Sequence, residues 1–137
     1  MAKTPTECVI EFHKTYDMPI AEKPALLDHE RFRLRLDLIE EELDEFVQAF
    51  VDKDIVAVAD SLGDLLYVVI GAALEYGIPI DRVVEEIHRS NMTKLDENGK
   101  VIYREDGKVL KGPNYEPPNI GAILNGSNGK SSREDQS

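Results

Sequence analysis

The chain has 137 residues, 42% of them hydrophobic, and a formal net charge of −11. That length suits one domain with one core. The acidic balance argues against nucleic acid or an anionic membrane as partner, because both reward clustered Lys and Arg, but it leaves room for an anionic small molecule if a divalent cation inverts the local field.

Thr4-Pro5-Thr6-Glu7 reads as a helix start, with Thr4 as N-cap, Pro5 in the first turn and Glu7 closing a capping box. The first helix is predicted to run to about Tyr16 with Val9, Phe12 and Tyr16 inward, and "DMPIAEKP" ends it. Cys8, on this helix, is the one cysteine of the chain, so no internal disulfide is possible, and it reads as a packed thiol. The N-terminal residues carry no basic-then-apolar signal pattern, so the expectation is a soluble, cytoplasmic protein with no membrane partner. A second helix is predicted from about Asp28 to Val51. Phe32, Leu36, Ile39, Leu43, Phe46 and Phe50 recur along it at alternating four and three spacing, which makes an apolar seam expected to face the core.

"DKD" at 52–54 is a short polar turn, and Asp54 can cap a third helix that stops at Gly77, with Pro79 just beyond. The fourth helix begins near Pro79, carries Asp81 in its first turn and runs through Val83, Val84 and Ile87 to about Asn91. "KVIYREDGKVLKG" then offers two short strand-like runs about Asp106-Gly107, a hairpin signal, and "PNYEPPN" is extended. From residue 125 the chain is Gly, Ser, Asn and charge, which reads as a disordered tail after a domain of residues 1–124. The class is all-α: a four-helix bundle with a small C-terminal β-hairpin.

The third helix, "VAVADSLGDLLYVVIGAALEYG", is apolar nearly all round yet holds Asp60 and Asp64. A buried, unpaired carboxylate costs several kcal/mol or protonates to avoid the cost. Arg31, Arg33 or Arg35 could neutralise these acids, and a divalent cation is the other escape. The second helix carries "IEEELDEF", in which Glu41, Glu42 and Glu45 share one side. Taken alone, such a run is usually a solvated face. The short turn makes the second and third helices antiparallel neighbours and brings acids of both to one level, with Asp60 almost level with Glu45. Oxygen ligands without His or Cys point to Mg2+ or Mn2+, in a site for two or more ions, and Gly63 between the aspartates suggests a close backbone approach.

Glu41-Glu42-x-x-Glu45 followed by Asp64 in "DSLGDLLYV" resembles the metal-binding pattern of the all-α nucleoside triphosphate pyrophosphohydrolases, the MazG-like superfamily, which includes dimeric dUTPases and phosphoribosyl-ATP pyrophosphohydrolase. The resemblance spans about residues 28–95. "SNMTK" at Ser90–Lys94 and "DGKVLK" at Asp106–Lys111 are similar to members acting on deoxyuridine nucleotides. It implies Mg2+-dependent cleavage of a nucleoside triphosphate between the α- and β-phosphates. It also implies Glu41, Glu42, Glu45 and Asp64 as metal ligands, with Glu41 or Glu42 orienting the attacking water. The family pattern places a Glu where Ser61 stands here, which leaves the fourth ligand open between Asp60 and Glu41.

Asn91, Lys94, Lys108 and Lys111 are candidate donors to phosphate or base, and Tyr67 either stacks on a base or packs. His13, His29 and His88 show no ligand spacing. The apolar third helix asks for cover from a partner chain, so a homodimer or homotetramer is expected, as the resemblance also implies. Three other readings remain: phosphoribosyl-ATP as substrate, a non-enzymatic acidic helical interaction module, and a ferritin-like iron protein. The last rests only on the Glu85–His88 pair, where that architecture needs two such pairs.

Overall fold

The computed structural model describes residues 2–126. Among them are five helices, α1 (Pro5–Thr15), α2 (His29–Val51), α3 (Ile55–Tyr76), α4 (Ile80–Asn91) and α5 (Ile120–Gly126). The chain divides after Ile78 into two compact units. The first holds α1, α2 and α3, with α2 and α1 both packed on α3; the second holds α4 and α5, packed on each other.

The helix boundaries follow their local chemistry. Thr4 accepts from the Glu7 backbone N–H at 3.2 Å while its own N–H donates to Glu7 Oε1 at 2.7 Å, a complete capping box. Asp28 accepts from the Arg31 N–H at 2.8 Å to start α2, and Asp54 accepts from the Val56 and Ala57 N–H groups to start α3. Gly77 ends α3 at φ 70°, where a Cβ would lie 2.2 Å from the Lys23 carbonyl oxygen, so both the dihedral and the space require glycine.

α2 does not present the expected seam to α3. The stripe turned toward α3 carries Arg31, Arg35, Leu38, Glu42, Glu45 and Ala49, whereas Phe32, Leu43 and Phe50 of the apolar seam are exposed, Phe50 at 77%. Small residues on α3 make this possible. A Cβ on Gly71 would lie 2.3 Å from Arg35 Nη2, so the guanidinium occupies the room that glycine leaves. Arg31 donates to both carboxylate oxygens of Glu75 at 2.9 and 2.8 Å, Arg35 Nη1 donates to Glu75 at 3.2 Å, and Arg35 Nη2 donates to the Val68 carbonyl at 2.7 Å. The start of α2 therefore sits against the end of α3, in antiparallel register.

In the second unit, backbone and side-chain hydrogen bonds tie the end of α4 to the segment before α5. Ser90 donates to the Glu116 carbonyl at 2.7 Å, the Glu116 N–H donates to Thr93 Oγ1 at 2.8 Å, and Arg89 pairs with both Glu86 and Glu116. The turn at Asp106-Gly107 forms, with Gly107 at φ 93°, but the pairing beyond it is an isolated antiparallel bridge between Tyr103 and Val109 in place of two strands. α5 was not foreseen; Asn119 starts it by accepting from the Ala122 N–H at 3.1 Å. Residues 127–137, most of the expected tail, lie outside the described residues.

Candidate metal centre

Below the arginine clamp, the same α2–α3 stripe changes character. Glu42 and Glu45, three residues apart on α2, share one helix face with that clamp, and Asp64 on α3 meets them. One carboxylate oxygen from each of the three lies within 4.8 Å of the others. Glu42 and Asp64 are half-buried and Glu45 is exposed. No ion pair among the described residues involves any of the three.

The arginines that could have neutralised the α3 acids are committed elsewhere: Arg31 and Arg35 to Glu75, Arg33 to Asp37. The crowding shows in the electrostatics. A hydrogen bond shared with Glu45, then burial, then the charges of Glu45, Asp64 and Asp60 push the Glu42 carboxyl up to about 7. Burial first, then Asp60 and Glu45, also raise Asp64 above its ordinary value. Glu42 Oε1 is enclosed and has no hydrogen-bond partner. An orphaned, buried carboxylate oxygen in a group of three carboxylates without a basic partner makes an oxygen-only donor set. It fits a hard divalent cation such as Mg2+ or Mn2+.

Glu41 is exposed and outside this group. Asp60 is also exposed, contrary to the buried position expected for it; it lines a separate cavity of about 240 Å³ with Glu45, Asp52 and Ser61, although its charge is felt at both Glu42 and Asp64. A Cβ on Gly63 would meet nothing within 4 Å, so the expected close approach does not occur within this chain. Tyr67 is 36% exposed and packs edge-on to Phe12, with ring centroids 5.6 Å apart. Together with Tyr16, Leu38 and Val68 these two rings line a cavity of about 450 Å³. Leu38 lies one turn before Glu42 and Val68 one turn after Asp64, so the cavity adjoins the carboxylates along both helices. In the second unit, Asn91 and Lys94 line a cavity of about 430 Å³ with Met92, Leu95, Tyr103 and Val109. Lys111 lies over the Tyr115 ring, 4.9 Å from its centroid, and Lys108 is exposed.

One polar residue that matters to the unit was missed as such. Glu75 is a buried acid near the end of an apolar helix, and the signal for it was Arg31 and Arg35, one turn apart on the face that carries Glu42. His13, which shows no ligand spacing, is structural: it is buried and donates from Nδ1 to the Pro19 carbonyl at 2.9 Å.

Residues 9–91 match the phosphoribosyl-ATP pyrophosphohydrolase family. Over 117 residues the chain is 33% identical to Uncharacterized protein L479 of Acanthamoeba polyphaga mimivirus, a match covering 77% of this chain and 45% of that protein. The chain thus spans less than half the length of that relative. A crystal structure of a proposed NTP pyrophosphohydrolase from Exiguobacterium sp. 255-15 is 22% identical and is matched over 98% of this chain and 99% of its own, with a TM-score of 0.45. By the extent of the family match, which takes in all three clustered carboxylates, the chain belongs to the phosphoribosyl-ATP pyrophosphohydrolase family of the MazG-like superfamily.

Proposed function

We propose that the protein is a Mg2+-dependent nucleoside triphosphate pyrophosphohydrolase, with dUTP among its substrates, that releases the monophosphate and pyrophosphate. The observation that carries this reading is the group of Glu42, Glu45 and Asp64 within 4.8 Å, without a basic partner and with Glu42 Oε1 orphaned. A divalent ion held by Glu42, Glu45 and Asp64 would supply charge neutralisation for the phosphates and activate a water for in-line attack. Glu42, or Glu41 beside it, orients that water as general base at the α-phosphorus. Asn91, Lys94 and Lys111, all in the second unit, are the phosphate-binding donors that the sequence offers there. The base goes to the aromatic cavity walled by Phe12, Tyr16 and Tyr67, which adjoins the carboxylates.

The enzyme is cytoplasmic and works as a homodimer or homotetramer. Support for the oligomer comes from apolar residues that a single chain leaves open, among them Val56 at 75% and Phe50 at 77% exposure. The test is a nucleotide panel, including dUTP and phosphoribosyl-ATP, assayed for released pyrophosphate with Mg2+ and again with excess EDTA. Run in ¹⁸O-labelled water, the reaction should place label in the nucleoside monophosphate. Turnover that survives EDTA would end the metal reading, and label confined to pyrophosphate would end attack at the α-phosphorus.

A further inference from the structure

The cavity that adjoins the carboxylates has a wall of one kind. Phe12, Tyr16 and Tyr67 give it aromatic rings, Leu34, Leu38 and Val68 give it branched carbon, and the surface it presents is almost wholly apolar. Two buried polar side chains stand behind that wall with their nitrogens turned elsewhere. Arg35 donates from its two Nη atoms to Glu75 and to the Val68 carbonyl, and its Nε is enclosed. His13 gives Nδ1 to the Pro19 carbonyl and holds Nε2 toward α3, 3.0 Å from the place of a Gly71 Cβ. At about 450 Å³ the cavity falls in the range, about 300–1,000 Å³, that encloses drug-sized ligands, so a one-ring base leaves space beside it.

We infer that this cavity selects for carbon on the base and not for a hydrogen-bonding edge: the substrates it favours are nucleoside triphosphates whose pyrimidine carries an apolar substituent, such as a methyl or ethyl group at C5. The inference rests on the pyrophosphohydrolase reading above and goes beyond it by naming the substrate class. A wall with so few polar atoms stacks on any flat ring and gains from each carbon it takes out of water. A polar group of the same size, placed against that wall, loses its water without finding a partner. The base's own polar edge keeps its water on the open side of the cavity, where Tyr16 is 64% exposed.

The test is the ratio of kcat/KM values, measured on the full chain with Mg2+, for dUTP and its 5-methyl, 5-ethyl and 5-hydroxymethyl forms. Each added carbon should raise kcat/KM about four-fold, the transfer value of one buried methylene, and the 5-hydroxymethyl form should fall below the 5-ethyl form, which has the same size. Leu38→Phe, which adds bulk to the wall, should shrink the gain from the ethyl group; a ratio within one variant is not disturbed by a general loss of activity. A flat or reversed series, or a 5-hydroxymethyl form as good as the 5-ethyl form, overturns the inference, while Mg2+-dependent release of pyrophosphate from the same four compounds keeps the pyrophosphohydrolase reading. A gain that Leu38→Phe leaves unchanged puts the substituent in another pocket and overturns the inference as well. No pyrophosphate from any of the four removes both readings, and the series on the unaltered chain decides the matter even if Leu38→Phe does not fold.

Discussion

One helix pair holds buried charge at two places and treats it in opposite ways. Toward the start of α2, Glu75 has two guanidinium partners, and of the buried side-chain polar atoms there only Arg35 Nε lacks a hydrogen bond. Eleven residues further along α2 and eleven back along α3, Glu42 and Asp64 meet Glu45 with no cation among the described residues. Desolvation is costly at both places. Compensation is internal at the first and has to come from outside the chain at the second. The contrast separates a structural ion pair from a binding site more clearly than counting acids does, because the chain has arginines on the same α2 face and commits them to Glu75.

The largest expected effect comes from breaking the satisfied end. Glu75→Gln leaves Arg35 buried with its charge uncompensated, and removing one partner of a buried pair costs about 3–5 kcal/mol. Denaturant unfolding of the metal-free protein should show a loss of that order. A loss below about 1 kcal/mol would mean that the clamp is no more than a surface ion pair in its effect.

The unsatisfied end should respond in the opposite sense. Glu42→Gln and Asp64→Asn remove charge from a crowded group, so the metal-free variants should be as stable as the parent or more so. Turnover with Mg2+ should fall roughly 100-fold or more in each, at least the loss typical of disturbing a metal ligand's surroundings. Glu40→Gln, at an exposed position outside the cluster, is the control and should be neutral. Near-normal turnover in either variant would show that the carboxylates had been assigned wrongly.

Addition of the ion gives a third, smaller effect. Saturating Mg2+ or Mn2+ at about 100 times its dissociation constant should stabilise the parent by roughly 2.7 kcal/mol. The shift should be lost in Asp64→Asn and kept in Glu40→Gln. An equal shift in all three proteins would indicate general screening of a net charge of −11, not a site.

Much of this was legible in the sequence because it depends on short-range chemistry. Thr4, Asp54 and Gly77 act at the termini where their side chains or backbone freedom suggested they would. Glu42, Glu45 and Asp64 came together because a short turn fixes the register of two antiparallel helices. The orientation of α2 was not legible. Its sequence has an apolar stripe and a charged one, and periodicity identifies both without saying which faces α3. The answer lay in Gly71, a residue on α3 whose missing Cβ makes room for Arg35, while Phe32, Leu43 and Phe50 of the seam stay exposed. α5 escaped notice because its seven residues follow a proline pair and are too few for a periodic signal.

The smallest expected effect is in pH dependence, and its sign distinguishes the crowded carboxylates from ordinary ones. Glu42 is held at about 7 in the folded protein, above its ordinary carboxylate value near 4.5. Between those values the folded state binds more protons than the unfolded state, so stability falls as pH rises through that window and levels off above about 7. A carboxylate with a good cationic partner does the reverse. Glu86, lowered to about 2 mainly by its hydrogen bonds to Arg89 and then the Asn119 N–H, contributes stability at neutral pH that is lost only as the solution becomes strongly acid. Metal-free protein unfolded in denaturant at pH 5.5 and at pH 8 should therefore be less stable at the higher pH. Glu42→Gln should flatten that slope, and so should Mg2+, because the ion favours the ionised carboxylate and releases the proton. If the slope of the metal-free parent is unchanged in Glu42→Gln, the proton taken up in this window belongs to another group, and the electrostatic contrast between the two ends of the helix pair is weaker than its geometry indicates.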